Sequence, residues 1–279
     1  MIKLYQKGIS LGEKELELIE LLKRKESNEK IISFYEFNFK TPPLLEFEVA
    51  FWPVEYDNLH LLEFFHKKGL NLRIFEDFYF QYACGVGYLD IAKFLLKIGA
   101  DVNANNSAAF IYAAANGHLE IIKFLVRHKV NIHARFDLAI VLAAKNGHLE
   151  VVKYLHELGL NIQSNSNAAI KYAAANGHMD VVEYLMKIGA DYHTTDEYPL
   201  RKAVKNGHLE IAKIFLDKGA DPNAANYELI QWAIENRKLD VLDMLLSYGG
   251  RPDIFDKKYI KMAKEKKDHE LRQLLESYL

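Results

Sequence analysis

The sequence predicts an all-α solenoid, in which short loops join stacked helix-turn-helix pairs. The segment Asn146–Leu155 recurs nearly unchanged at three other places, namely Asn116–Leu125, Asn176–Leu185 and Asn206–Phe215. The spacing is constant, because a glycine returns every 30 residues at Gly87, Gly117, Gly147, Gly177 and Gly207. Within each copy the apolar residues follow a helical period. Repetition at one fixed period indicates an array of units that pack on their neighbours, rather than one globular core.

The composition excludes several classes of protein. The formal net charge is −2, from 36 basic and 38 acidic side chains, so the chain carries no strong field toward nucleic acid. No run of about 18 apolar residues predicts a membrane-spanning helix, and residues 1–7 lack the apolar segment of a secretory signal. Cys84 is the single cysteine, which excludes a disulfide within the chain and favours a reducing compartment. We therefore expect a soluble, cytoplasmic protein.

The repeats define the predicted domain organisation. Residues 1–44 form an N-terminal helical cap built from a decayed repeat, with a break at Thr41-Pro42-Pro43, and residues 45–74 form a degenerate repeat. Residues 255–279 form a C-terminal capping repeat with a charged outer face. Six regular repeats lie between them, at 75–104, 105–134, 135–164, 165–194, 195–224 and 225–254.

Each regular repeat has the same predicted anatomy. A short first helix, 108–115 in one copy, ends at an Asn-Gly pair, where glycine adopts the left-handed conformation without steric cost. A second helix buries apolar residues, which are Ile121, Ile122 and Leu125 in one copy. In most copies this helix ends at a second glycine, such as Gly159. Lys129 replaces the second glycine in one copy, and Pro53 is predicted to interrupt the first helix of the degenerate repeat.

These motifs resemble the ankyrin repeat family. The pattern Ala-Ala-x-Asn-Gly-His-Leu-Glu-Val-Val-x-x-Leu stands with variation at Ala203–Leu216, and Gly-Ala-Asp-x-Asn-Ala stands intact at Gly99–Ala104 and Gly219–Ala224. The usual Thr-Pro-Leu-His opening is missing, and the period is 30 rather than about 33. The loops that form the family's protruding fingers should therefore be short. Thirty-residue repeats of this kind are similar to those of ankyrin proteins from giant DNA viruses of amoebae.

Two repeated or unusual residue types invite a catalytic or metal-site interpretation. His118, His148, His178 and His208 recur at one position, but equivalents in neighbouring repeats should lie about 8–10 Å apart. Such residues are too far apart to share one zinc ion, so we expect histidines that form structural hydrogen bonds. Cys84 occupies the place of a helix-packing alanine and should be buried. No phosphate loop or nucleophile elbow occurs, so we expect no enzyme, metal or cofactor.

The exposed side of the first helices, on the predicted concave face, carries the candidate partner-binding residues. Five or two positions before the first glycine of each repeat stand Tyr82, Tyr112, Leu142, Lys145, Tyr172, Lys202, Lys205, Trp232 and Glu235. The short loops are expected to add Asp77, Ser107, Asp137, Asn167, Glu197 and Tyr227. Tyrosine and tryptophan are enriched at binding hot spots. The alternative is that the aromatic positions only pack between neighbouring helices.

The family resemblance implies one modification site. In other ankyrin proteins an asparaginyl hydroxylase modifies the asparagine of Gly-Ala-Asp-x-Asn-Ala, which is Asn103 or Asn223 in this chain. Leu95 stands eight residues before Asn103, as that enzyme prefers, whereas Phe215 stands at the matching place for Asn223. The alternative is a turn asparagine that bonds its own backbone.

The resulting functional expectation is non-enzymatic binding of a protein partner through the concave face, by a monomer that binds neither nucleic acid nor membranes. If the viral resemblance holds, the partner is a host protein in the host cytoplasm. Two other functions stay open: an adaptor that brings a substrate to a ubiquitin ligase, and a homo-oligomeric structural protein.

Overall fold

The computed structural model describes residues 13–40, 46–251 and 256–278. These residues form helices and no strands, which confirms the predicted all-α class. Contacts divide the chain into two compact units, Met1–Ala134 and Arg135–Leu279. The predicted break at Thr41-Pro42-Pro43 lies outside the described residues.

The first unit contains four complete helix pairs among its described residues. Its helices are α1 (Glu13–Lys23), α2 (Asn28–Asn38), α3 (Glu46–Glu55), α4 (Leu59–Lys67), α5 (Phe78–Val86), α6 (Leu89–Lys97), α7 (Ala104–Ala115) and α8 (Leu119–Arg127).

The second unit continues the same alternation. Its helices are α9 (Ala134–Lys145), α10 (Leu149–Glu157), α11 (Ser164–Asn176), α12 (Met179–Lys187), α13 (Thr194–Lys205), α14 (Leu209–Asp217), α15 (Ala224–Glu235), α16 (Leu239–Ser247), α17 (Asp256–Glu265) and α18 (His269–Ser277). Within the described residues of both units, no helix has the length and apolar character needed to cross a membrane.

The core of each repeat follows the predicted helical spacing. In α8 the side chains of Ile121, Ile122 and Leu125 are buried, while Glu120 on the opposite side is exposed. The alanines near the end of the first helices, such as Ala113 and Ala114, are also buried. Small side chains at these positions allow neighbouring helices to approach closely, as the sequence predicts.

Each regular repeat opens with three consecutive left-handed residues in place of an extended loop. Their φ angles are positive at Phe75–Asp77, Asn105–Ser107, Arg135–Asp137, Asn165–Asn167, Thr195–Glu197 and Ala225–Tyr227. In α7 the right-handed segment therefore begins at Ala108, where the sequence predicts the first helix to start. This compact left-handed turn accounts for the short loops of the thirty-residue repeat.

The third residue of this turn corrects one sequence prediction. Four loop residues that were expected to be exposed are buried: Asp77, Ser107, Asp137 and Glu197. The reason is that their side chains form hydrogen bonds. Asp77 accepts one from the backbone N–H of Asp101 at 2.8 Å, and Asp137 accepts one from the backbone N–H of Asn161 at 3.0 Å. Each bond joins the turn that opens a repeat to the segment after the second helix of the same repeat, so the buried carboxylates serve packing and not partner contact.

Two predicted irregularities behave differently in the structure. Pro53 does not interrupt α3, which continues to Glu55. Because Pro53 lies in the last turn, its missing N–H deprives only the Val49 carbonyl of a helical partner. Lys129 keeps the left-handed geometry of the glycine that it replaces, with φ of 62°. A side chain in this conformation costs about 1–2 kcal/mol.

Candidate protein-binding surfaces

Within each unit, the Asn-Gly-His motif links a repeat to the one before it. In the first unit, His118 Nε2 lies 3.1 Å from the carbonyl oxygen of Gly85, and Asn116 Nδ2 donates to the same oxygen at 2.5 Å. In the second unit, His178 Nε2 and Asn176 Nδ2 lie 2.9 and 2.7 Å from the carbonyl oxygen of Lys145. A carbonyl only accepts, so Nε2 carries the proton in each histidine.

The histidine ring also covers the glycine of the preceding repeat. A Cβ atom added to Gly147 would lie 2.5 Å from His178 Nδ1, and one added to Gly177 would lie 2.6 Å from His208 Cε1. The glycines thus provide both a left-handed turn and space for the ring. This contact supports the structural role expected of these histidines, and no group of three potential metal ligands occurs in the described parts of the chain.

The first unit places its two candidate tyrosines in different environments. Tyr112 on α7 is 43% exposed. Tyr82 on α5 is half-buried: its hydroxyl donates to Glu55, and its ring lies 5.7 Å from Phe51 and 5.9 Å from Phe78. Burial, followed by the hydrogen bond to Glu55, raises the pKa of Tyr82 to about 12. Tyr82 is therefore engaged within the fold, whereas Tyr112 offers its ring to solvent.

Three candidates of the second unit lie on α9 and α11. Tyr172 is 41% exposed, at the same repeat position as Tyr112. Lys145 is exposed, and its Nζ lies 5.8 Å from the centre of the Tyr172 ring, within cation–π range. Leu142 is half-buried. The structure thus brings Lys145 and Tyr172 together on an exposed surface.

The next candidates form a charged cluster on α13 and α15. Lys205 and Arg201 both contact the carboxylate of Glu228. The hydrogen bond from Lys205, followed by that from Arg201, lowers the pKa of Glu228. Lys202 lies over the ring of Tyr198, with Nζ 5.5 Å from the ring centre. Glu228 was not among the predicted residues, because no spacing rule pairs it with residues of the preceding repeat.

Trp232 forms one wall of an open groove of about 680 Å³, which we call the Trp232 groove. It is lined by Val204, Lys205, Gly207, Leu209, Trp232 and Lys238, together with Asn206 and the segment from Arg237 to Val241. Trp232 is half-buried, and Glu235 on the same helix is exposed outside the groove lining. The groove therefore combines an aromatic wall, aliphatic side chains and a charged rim.

A departure from the repeat motif accounts for the groove. Asn236-Arg237-Lys238 stands where the four preceding repeats have Asn-Gly-His. Lys238 has no ring to cover Gly207, and a Cβ atom added to Gly207 would meet nothing within 4 Å. Asn236 donates to Trp232 O in its own helix, at 2.9 Å, rather than to the preceding repeat. The replacement of the histidine by Lys238 is visible in the sequence. That this replacement leaves Gly207 uncovered can be seen only in the structure.

The two asparagines proposed for modification hold consecutive repeats together. Asn103 Oδ1 accepts hydrogen bonds from the Asn131 backbone N–H at 2.7 Å and from Ser107 Oγ at 3.0 Å. Asn223 Oδ1 accepts one from the Arg251 backbone N–H at 2.8 Å. Both side chains therefore bond the following repeat. Asn103 is exposed and Asn223 is half-buried.

Cys84 is fully buried on α5, as predicted. Burial raises the pKa of its thiol, so the reactive thiolate form is disfavoured at neutral pH. The residue thus packs as a small apolar side chain in the position that Ala114, Ala144 and Ala174 occupy in the next three repeats.

Comparison with protein families matches three segments of the chain to the model described as ankyrin repeats in three copies. The matched residues are 50–136, 111–196 and 193–256, which together span residues 50–256 of the 279. No protein of curated function matches the chain.

Proposed function

The chain belongs to the ankyrin repeat family, and we propose that it binds a protein partner through the exposed side of its first helices. Ankyrin repeats are generally protein-interaction modules and non-catalytic scaffolds. The proposed contact residues are those at the five-before and two-before positions, with Tyr112, Lys145, Tyr172 and Trp232 as their principal members.

The observation that carries this proposal is the exposure of Tyr112 and Tyr172. A tyrosine at a packing position would be covered by the next helix, yet both rings remain about two-fifths exposed. No side chain among the described residues hydrogen-bonds either hydroxyl, so each offers an apolar ring and an unused polar group. Tyrosine is favoured at interfaces because it buries a large area while losing few rotatable bonds.

The other candidates support the proposal to different degrees. Lys145 and Glu235 are exposed and can form rim contacts. Leu142 and Lys202 are half-buried, so each offers only part of its surface. Tyr82 and Lys205 already contact Glu55 and Glu228, and their use by a partner would require these contacts to be retained or exchanged.

The partner test is an affinity capture from an amoebal cell lysate, read by mass spectrometry. It compares the natural chain with a Tyr112→Glu/Tyr172→Glu/Trp232→Glu variant and with a control, Glu120→Lys/Glu150→Lys, altered on exposed second-helix positions. Circular dichroism first establishes that all three are folded. We expect at least one protein to be captured by the natural chain and by the control, but not by the triple glutamate variant. A protein that the triple glutamate variant still captures would place the binding site outside this face of the first helices.

Amoebal lysate is chosen because of the repeat type. The likeness of the thirty-residue repeats to those of giant DNA viruses supports a host protein as partner and the host cytoplasm as compartment. If the same protein is captured with equal yield from unrelated cell lysates, the proposal of an amoebal host protein as partner loses its support.

We also propose Asn103 as a substrate of an asparaginyl hydroxylase, in preference to Asn223. Exposure of Asn103 and the leucine at position 95 support this order. Because the Asn103 side chain bonds the next repeat, the enzyme would need local opening of the turn. Incubation with such an enzyme should add one oxygen to the Asn103 peptide, and an unchanged peptide mass would reject the assignment.

A further inference from the structure

The Trp232 groove contains an empty copy of a binding arrangement that other repeats fill from within the chain. In those repeats a carbonyl in the last turn of the first helix, at Gly85 or Lys145, accepts from a histidine and an asparagine of the following repeat. Ala175 O likewise accepts from Asn206 Nδ2 at 2.6 Å. The histidine ring then covers the glycine two residues later. The same two elements, a carbonyl and a glycine, recur at Lys205 and Gly207.

At Lys205 and Gly207 the chain supplies neither donor. Lys205 is the last residue of α13, and α14 begins at Leu209. None of the described residues donates a hydrogen bond to the Lys205 carbonyl oxygen. Asn236 turns to its own helix, and Lys238 at the histidine position is exposed. The face of Gly207 that a ring covers in the other repeats therefore opens into the groove.

We propose that the Trp232 groove binds a peptide segment of the protein partner through one histidine. The imidazole would donate its Nε2–H to Lys205 O and lie over Gly207, as His178 does at Lys145 O and Gly147. Histidine is chosen because this geometry already accepts an imidazole from the chain itself in other repeats. This inference rests on the proposed binding function and names the chemistry of one contact.

The remainder of the groove favours a peptide over a small molecule. Its volume of about 680 Å³ exceeds that of one imidazole, and it is partly open to solvent. Trp232 and the aliphatic side chains Leu209 and Leu239 can pack against the residues that flank the histidine. The charged rim is balanced locally, since Lys205 contacts Glu228, and Arg237 contacts Asp268 and Glu270. A neutral imidazole suits such a rim better than a strongly charged ligand.

The test uses the full chain and a phage-displayed library of random twelve-residue peptides. The decisive variant is Lys238→His, which restores the histidine of the other repeats and should cover Gly207 from within. Its matched control is Lys238→Ala, which removes the lysine charge but leaves the groove open. Because Lys238→His restores the repeat motif, it should fold at least as well as the natural chain, as checked by thermal melting.

We expect the selected peptides to share a histidine. Fluorescence anisotropy with synthetic copies should show that Lys238→His weakens binding about tenfold, equivalent to about 1.4 kcal/mol. Lys238→Ala should weaken binding clearly less than Lys238→His, because it leaves Gly207 uncovered, and histidine-to-alanine peptides should bind about tenfold more weakly.

The inference would be overturned by peptides without histidine, by equal binding to Lys238→His, or by failure to select any peptide. A dimer of the chain that dissociates in Lys238→His would also overturn it, since the occupant would then be a second copy. The capture experiment, repeated with a Tyr112→Glu/Tyr172→Glu variant that leaves Trp232 in place, is a separate readout. A partner lost there, without peptides sensitive to Lys238→His, would preserve the proposed function and reject only the histidine contact.

Discussion

Gly177 and Gly189 have nearly the same left-handed backbone, with φ of 82° and 88°, but different surroundings. A Cβ atom at Gly177 would collide with the His208 ring, whereas one at Gly189 would meet nothing within 4 Å. The first glycine is therefore needed for conformation and for packing between repeats, and the second only for conformation.

This difference predicts unequal effects of the same substitution. Gly189→Ala should lower the free energy of unfolding by about 1 kcal/mol, because alanine is strained in the left-handed region. Gly177→Ala should cost about 1 kcal/mol more, because the His208 ring must also move. Urea unfolding monitored by circular dichroism compares the two variants. Equal midpoints would show that the ring contact contributes no stability.

Lys129 provides the converse experiment, because a lysine already occupies the left-handed position of a glycine. Lys129→Gly should stabilise the chain by about 0.5–1 kcal/mol, since relief of strain exceeds the extra entropy of unfolded glycine. Lys129→Ala is the matched control: it removes the side-chain charge but keeps the Cβ atom, so stability should hardly change. If both variants gain the same amount in unfolding midpoint, the stabilisation results from removal of the Lys129 charge and not from relief of backbone strain.

At this scale the sequence predicted some residues well. Burial of Cys84 and the structural bonding of His118 and His178 followed from their place in the repeat. The buried state of Asp77 and Asp137 did not, because polar residues next to a turn are usually exposed and their donors, Asp101 and Asn161, lie 24 residues further along the chain. The Trp232 groove was also missed, because it results from the absence of a histidine at position 238.

Among the elements, the terminal helix pair α17 and α18 is joined to the preceding repeat by a charged contact. Arg237 bonds the two carboxylate oxygens of Asp268 at 2.7 and 3.1 Å, and bonds Glu270 at 2.8 Å. Asp268 also caps α18 by accepting from the Leu271 N–H at 3.1 Å. The hydrogen bond from Arg237, followed by that from Leu271, lowers the pKa of Asp268 below its ordinary value of 3.8.

The direction of this shift predicts a pH dependence. A carboxyl group with a lowered folded pKa contributes stability above its unfolded pKa, and this contribution is lost as pH falls through the folded pKa. Arg237→Gln should therefore reduce the melting temperature at pH 7, and the difference from the natural chain should shrink as the pH falls below 3.8. NMR titration should also show the Asp268 pKa moving back toward 3.8.

The control for this contact is Arg272→Gln, which breaks an exposed pair with Glu276 inside α18. Exposed pairs within one helix contribute little, so its melting temperature should change less than that of Arg237→Gln. If both variants melt alike, the contact between Arg237 and Asp268 does not stabilise the terminal helix pair.

At the scale of the whole molecule, the period of 30 residues was sufficient to predict the class of fold. It places two helices in each repeat and a turn at each glycine, and both follow from local sequence. The division of contacts at Ala134 and Arg135 was not predictable, because the repeat pattern continues across it without change in composition.

This division predicts how the chain tolerates truncation. A fragment of residues 135–279 should retain its helical circular dichroism and melt cooperatively, because it contains one compact unit. A fragment of residues 149–279 lacks α9 and the turn after it, in which the His148 N–H donates to the Ala143 carbonyl at 2.9 Å. Val151, Val152 and Leu155 of α10 are buried in the intact chain and would lose their paired helix. The shorter fragment should therefore show less helix per residue and a lower melting temperature. Identical melting curves would mean that α9 is dispensable and that the unit begins later than Arg135.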